Sequence, residues 1–121
     1  MAKKMLSKHF SEEEFRCKDG MLKAIDMKLV DGLEKLRALA GNKPIHINSG
    51  YRSLGYNKKM GGAPKSQHVL GKAADITIEG FTPKQVADLA EKVPQFRNGG
   101  IGIYGTFTHV DVRKGRARWT L

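Results

Sequence analysis

Apolar residues recur at helical spacing through Leu22, Ile25, Leu29, Leu33, Leu36 and Ala40, and Gly41-Asn42 follows as a stop signal. This pattern predicts one long amphipathic helix. Ahead of it, Ser11 and Glu14 have the spacing of a capping box, with Phe10 and Phe15 positioned as a hydrophobic staple, so a short helix starts there. A brief strand is expected over 45–48, then the turn-like Ser49-Gly50-Tyr51-Arg52. Residues 54–70 are rich in Gly, Lys, Asn and Ser and read as a long loop holding one helical turn. Loops of that length in small domains are usually functional. Residues 73–78 alternate as a strand. Thr82, Pro83 and Gln85 open a third helix with Val86, Leu89, Ala90 and Val93 as its inner face and Pro94 as its end. Residues 99–112 are glycine-punctuated and β-branched, which predicts two antiparallel strands with a turn near Gly105. Trp119 with Arg118 is expected to lie on the sheet as a lid. Helices come first and strands later, the order of an α+β fold: a small antiparallel sheet with helices packed on one face.

The length of 121 residues suits a single domain, 1–121. The lone Cys17 excludes an internal disulfide and a four-cysteine zinc site, and is expected to be a small buried thiol. No apolar run approaches the roughly 20 residues of a membrane span. The basic start, Met1 to Met5, runs into Ser7, Lys8 and His9, so no secretory signal is read here. A protein that stays in the cytoplasm or leaves it by another route, or an exported form with its leader removed, is the expectation. The net charge of +10 favours polyanionic partners such as nucleic acid, teichoic acids or peptidoglycan carboxylates. No basic helix, aromatic RNA-binding signature or zinc-finger spacing accompanies that charge, so specific nucleic-acid binding is not expected. A monomer is expected.

The chemistry concentrates in Ser66-Gln67-His68-Val69-Leu70-Gly71-Lys72-Ala73-Ala74-Asp75 and in Thr108-His109-Val110-Asp111-Val112. His68 and Asp75 are too far apart to be helix neighbours. They converge if His68 ends a loop, Gly71 turns the chain and Asp75 lies on the next strand. His109 and Asp111 leave a strand from the same face. Two imidazoles and a carboxylate then make a three-ligand zinc site, one ion per chain, with a fourth position left for water. His9 and His46 are expected to be structural or surface residues. Neither a Gly-x-Ser-x-Gly elbow nor a histidine partner for Cys17 is evident, which disfavours covalent catalysis.

The pattern S-x-H-x-x-G-x-A-x-D resembles the zinc D-alanyl-D-alanine peptidases, which share the hedgehog-domain fold. Ser49-Gly50-Tyr51-Arg52-Ser53 precedes it. Gly99-Gly100-Ile101-Gly102 and Phe107-Thr108-His109-Val110-Asp111 follow in the expected order, and the likeness spans nearly the whole chain. The resemblance implies His68, Asp75 and His109 as zinc ligands, Arg52 as a donor to the substrate's carbonyl or carboxylate oxygen, and peptidoglycan peptide as substrate. It also implies carboxypeptidase or endopeptidase action, with phage endolysins among the relatives. Tyr51 and Ser66 are candidate substrate contacts beside Arg52. Ser66 and Gln67 equally suit bracing the loop, and ordinary packing equally explains Tyr51, Tyr56 and Tyr104. Many relatives carry a Glu or His general base three residues before the last zinc histidine, where this chain has Thr106. Asp111 is the nearest alternative base, or a carboxylate that orients a liganding imidazole. After it come Glu79, His46 and the 54–66 loop. Two rival readings follow: an inactive zinc-bearing cell-wall or structural module, and a nucleic-acid binder motivated by charge alone.

Overall fold

The computed structural model describes residues 4–63 and 65–121, so the basic start at Met1 to Lys3 lies outside the described residues. A 3-10 turn, Glu12–Phe15, is followed by α1 (Met27–Leu39), β1 (Ile45–Ser49), α2 (Leu54–Lys59), β2 (Ala73–Ile78), α3 (Pro83–Ala90) and α4 (Pro94–Arg97). Three strands complete the chain: β3 (Gly100–Ile103), β4 (Thr108–Asp111) and β5 (Ala117–Thr120). The five strands form one sheet in the order β1-β2-β4-β3-β5. The α+β class is as expected. No helix among the described residues is long and apolar enough to cross a membrane.

Alternation divides the sheet into two faces. Ile45, Ile47, Ala74, Ile76, Ile78, Ile101 and Val110 point to the helix side and join Leu29, Leu33, Leu36, Val86, Ala90, Val93 and Phe96 in one core. α1 comes very close to α4: a Cβ on Gly32 would sit 2.7 Å from the Phe96 ring, which explains a glycine inside a helix. At the N-terminal end, Phe10 and Phe15 are buried as a staple requires, and the Glu14 carboxylate accepts from the Ser11 amide at 2.7 Å.

Three expectations change, and the helical turn expected within 54–70 is borne out. The long helix begins at Met27 and excludes Leu22 and Ile25, because Asp26 caps it by accepting from the Lys28 amide at 2.8 Å while its own amide donates to the Gly71 carbonyl at 3.0 Å. Periodicity does not reveal which residue wins that cap. Pro94 does not close α3, which ends at Ala90; it occupies the first turn of α4 instead. The 54–70 segment holds the six-residue α2, capped by Ser53, whose Oγ accepts from the Tyr56 amide at 3.2 Å. Trp119 and Arg118 are not a lid laid over the sheet but part of β5, an edge strand parallel to β3 in an otherwise antiparallel sheet. Arg118 ties that strand to the end of α3 through a two-pronged contact with the Glu91 carboxylate at 2.7 and 2.8 Å.

Candidate metal centre

The site lies on the face away from the helices. One lateral row crosses all five strands: Ser49 pairs with Asp75, Asp75 with His109, His109 with Gly102, and Gly102 with Trp119. An irregularity in β1 between Ile47 and Ser49 brings Ser49 into this row. The next row places Ala73 beside Asp111 and Asp111 beside Gly100. His68 comes from outside the sheet. It ends the loop after α2, and Gly71, at φ 71°, turns the chain into β2.

His68, Asp75 and His109 are all buried, and one ligand atom from each lies within 4.8 Å of the others. The outward nitrogens settle the tautomers. His68 Nδ1 is 2.7 Å from the Gly50 carbonyl oxygen, which only accepts, so that nitrogen carries the proton. His109 Nε2 is likewise 2.7 Å from Asp111 Oδ2. In a neutral ring each inward nitrogen, His68 Nε2 and His109 Nδ1, then presents a lone pair towards Asp75 Oδ1, at 3.2 and 3.0 Å. Three acceptors facing one another repel unless positive charge lies between them. Tetrahedral zinc with bonds of about 2.0–2.1 Å holds its ligand atoms roughly 3.3 Å apart, so the donor set fits a zinc ion.

The electrostatics point the same way. Burial would raise the Asp75 carboxyl, but His109 and His68, whose inward nitrogens donate to it once their rings are protonated, outweigh that and hold the group well below the ordinary carboxylate range. Burial would lower the His109 imidazole, yet its contacts with Asp111 and Asp75 raise it. The cluster attracts a cation, whether proton or metal.

The three residues open into a cleft of about 430 Å³ that Arg52, Gly62, Lys65, Ser66, Tyr104, Phe107, Arg113 and Trp119 help to line. Arg52 reaches Asp75 Oδ2 at 3.3 Å and Ser49 Oγ at 3.2 Å, and its amide donates to the His68 carbonyl at 3.1 Å. Ser66 lies in the lining, where its Oγ also accepts from the His68 amide at 3.2 Å. Tyr51 packs against the core instead, its amide donating to Phe15 at 2.9 Å. Of the other two tyrosines, Tyr104 lines the cleft and Tyr56 does not. Thr106 is exposed in the β3–β4 turn. Glu79 and His46 line a separate cavity at the far end of β1 and β2. His9 is a structural residue, its Nδ1 2.6 Å from Glu34.

Asp111 sits behind His109 and does not line the cleft. It is fully buried, with Oδ1 accepting from the Gly100 amide at 2.8 Å and Oδ2 from Arg113 Nη2 at 2.7 Å, besides its contact with His109. Burial would raise this carboxyl too, but His109 and Arg113 hold it well below the usual range. A sealed carboxylate that already accepts from an imidazole, a guanidinium and backbone amides is placed to orient His109, and the base role expected of it finds no opening to the cleft.

Sequence reasoning named Gly50, Gly100 and Gly102 only as motif residues and gave Arg113 no part; the contacts that bring all four into the site were missed. A Cβ on Gly100 would meet Asp111 Oδ2 at 2.3 Å, and one on Gly102 would meet the Trp119 indole at 2.4 Å. The available signal was glycine at alternate positions of a strand, which marks close approach across one face.

The chain matches the Peptidase M15 family model over residues 8–111. It is 36% identical over 103 residues to the peptidoglycan L,D-endopeptidase MepK of Escherichia coli (strain K12), an alignment covering 78% of this chain and 55% of that protein. The zinc D-Ala-D-Ala carboxypeptidase of Streptomyces albus G is 34% identical over 86 residues, covering 69% of this chain and 34% of the relative. A probable MepK of Haemophilus influenzae is 40% identical over 77 residues, 58% of this chain and 40% of its own. The chain thus spans little more than half the length of the Escherichia coli protein. With the ordered motifs on one sheet face and the match running from residue 8 to 111, the chain belongs to the M15 peptidases, the zinc D-Ala-D-Ala peptidase family.

Proposed function

We propose that this chain hydrolyses a peptide bond in bacterial peptidoglycan at a zinc centre formed by His68, Asp75 and His109. The observation that carries the reading is the convergence of two imidazole lone pairs and a carboxylate oxygen, each held from behind, at the floor of a cleft. A zinc ion held by His68, Asp75 and His109 would supply Lewis-acid chemistry for hydrolysis near neutral pH. In this reading Arg52 offers a planar pair of donors to the peptide's oxygens while Asp75 and Ser49 steady its guanidinium. Asp111 fixes the His109 tautomer, and Gly50 that of His68. Lys65, Arg52 and Arg113 make the lining basic, which suits the carboxylates of stem peptides and of other anionic wall polymers.

Elemental analysis of protein purified without chelator is expected to find about one zinc per chain. Digestion of purified peptidoglycan with mass analysis of the products then identifies the bond, and separates carboxypeptidase from endopeptidase action. Arg52→Lys keeps the charge and loses the planar fork, so turnover is expected to fall with zinc content unchanged. A lysine variant as fast as the parent removes Arg52 from the substrate clamp.

One observation favours a second reading, a zinc-bearing module without activity: Asp75 is the one carboxylate among the described residues lining the cleft, and Thr106 offers no base. Stoichiometric zinc without release of any fragment from peptidoglycan decides for it.

A further inference from the structure

Trp119 and Tyr104 form a hydrogen-bonded pair at the β5 end of the cleft. The Trp119 indole Nε1–H donates to the Tyr104 hydroxyl oxygen at 2.9 Å. An indole nitrogen only donates, so the phenol accepts there and its own O–H is left to point elsewhere. Among the described residues no acceptor is recorded for that proton, and Tyr104 lines the cleft together with His68, Asp75 and His109. The indole that holds the hydroxyl lies 5.0 Å from the His109 ring, centre to centre, and both side chains line the cleft whose floor is the ligand cluster.

Both side chains are fixed. The Tyr104 ring stacks on Phe107 at 4.4 Å, and the Tyr104 amide donates to the Phe107 carbonyl at 3.0 Å across the turn. Trp119 lies over Gly102, where a Cβ would approach its Nε1 to 2.4 Å, and the Arg113 guanidinium stands 5.2 Å from its ring centre. Arg52 approaches the row from its other end, beside Ser49 and Asp75. The cluster of His68, Asp75 and His109 therefore lies between a guanidinium on the β1 side and a phenol on the β5 side.

We propose that the Tyr104 hydroxyl is a second donor to the scissile carbonyl oxygen, opposite Arg52, and that Trp119 positions it. The inference rests on the hydrolytic reading above. The phenol donates a hydrogen bond to the oxygen as negative charge develops there, and keeps its proton. A donor fixed before the reaction is effective because nothing must reorient as charge appears.

Tyr104→Phe keeps the stack on Phe107 and removes only the hydroxyl. It is expected to lower kcat by about 100-fold or more, the worth of one oxyanion donor, with KM, zinc content and melting temperature close to the parent's. A dipeptide phosphinate, whose tetrahedral oxyanion imitates the reacting carbon, is expected to bind Tyr104→Phe more weakly by a similar factor. Trp119→Phe should show a smaller loss of the same kind. Phosphinate affinity and kcat equal to the parent's in Tyr104→Phe overturn the proposal. If that variant does not fold, Trp119→Phe carries the test: phosphinate affinity and kcat equal to the parent's in that variant overturn the proposal. A parent chain that holds zinc and cleaves no peptidoglycan removes the hydrolytic reading, and this inference with it. An active parent with an unaffected Tyr104→Phe removes only this inference.

Discussion

The two faces of the sheet are both buried, but for opposite reasons. On the helix face, Ile76 and Val110 are wholly excluded from water among other apolar side chains, and their burial is the ordinary hydrophobic gain of folding. On the opposite face, His68, Asp75, His109 and Asp111 are nearly as buried, at 3%, 5%, 6% and 0% exposure. Removing such groups from water is costly unless each is partnered. Here every outward atom has a partner and the inward atoms face one another. One face supplies stability that the other uses to hold polar groups in a fixed and unfavourable arrangement, which a cation relieves.

The sharpest way to break this contrast is to truncate one residue on each face. His109→Ala is expected to abolish zinc binding and all turnover. It relieves the crowding of inward acceptors but also takes the His109 donor from buried Asp111, so the apo fold should lose less than Ile76→Ala costs. Ile76→Ala is expected to do the reverse, costing about 2–5 kcal/mol of stability while the surviving folded protein still takes up zinc. Parallel denaturant unfolding and metal analysis read both. Equal destabilisation of the apo proteins by the two changes would mean that the site face is not held at a cost.

Asp111→Asn asks whether the carboxylate behind His109 acts through the metal or on the reaction. As an orienting group, its loss should weaken zinc affinity about 10-fold to 100-fold, with activity largely recovered in excess zinc. As a base, it should leave affinity intact and lower the rate at saturating zinc by about 100-fold or more. The sealed geometry of Asp111 leads us to expect the first outcome.

The smallest expected effect concerns the strand that serves both faces. Arg118 of β5 turns to the helix side and pairs with Glu91, while Trp119 beside it closes the cleft. Hydrogen bonding and charge attraction from Arg118 hold the Glu91 carboxyl below its ordinary value of 4.5 against a weaker opposing effect of burial. A depressed carboxyl stabilises the fold above its unfolded pKa, and that contribution disappears as pH falls through the folded value. The pair is partly exposed, so about 0.2–1 kcal/mol is expected at neutral pH. Thermal melts of Glu91→Gln against the parent should differ at pH 7 and draw together as pH falls below the ordinary glutamate value; a constant gap would assign the effect to something other than this charge.

Much of this architecture was legible in the chain because it rests on local rules. Alternation marked β2 and β4, the Thr82-Pro83-Gln85 signal marked the start of α3, and the left-handed Gly41 and Asn42, at φ 73° and 63°, end α1 where the pattern ran out. The ordered motifs also singled out His68, Asp75 and His109. β5 was not legible. It pairs in parallel with β3 rather than through a hairpin, and its four residues alternate too briefly to stand out.

By itself, the sequence determined the α+β class and the residues able to bind a cation, because each follows from residue type and spacing, and its ordered motifs carried the resemblance to the family. Tertiary structure alone decided which nitrogen of each imidazole faces inward, that Asp111 stands behind His109, and that Gly100 and Gly102 make room for Asp111 and Trp119. These depend on the lateral register of five strands and on a loop carbonyl at Gly50, 18 residues before His68 in the chain. A one-residue slip of any strand would turn its contribution to the other face.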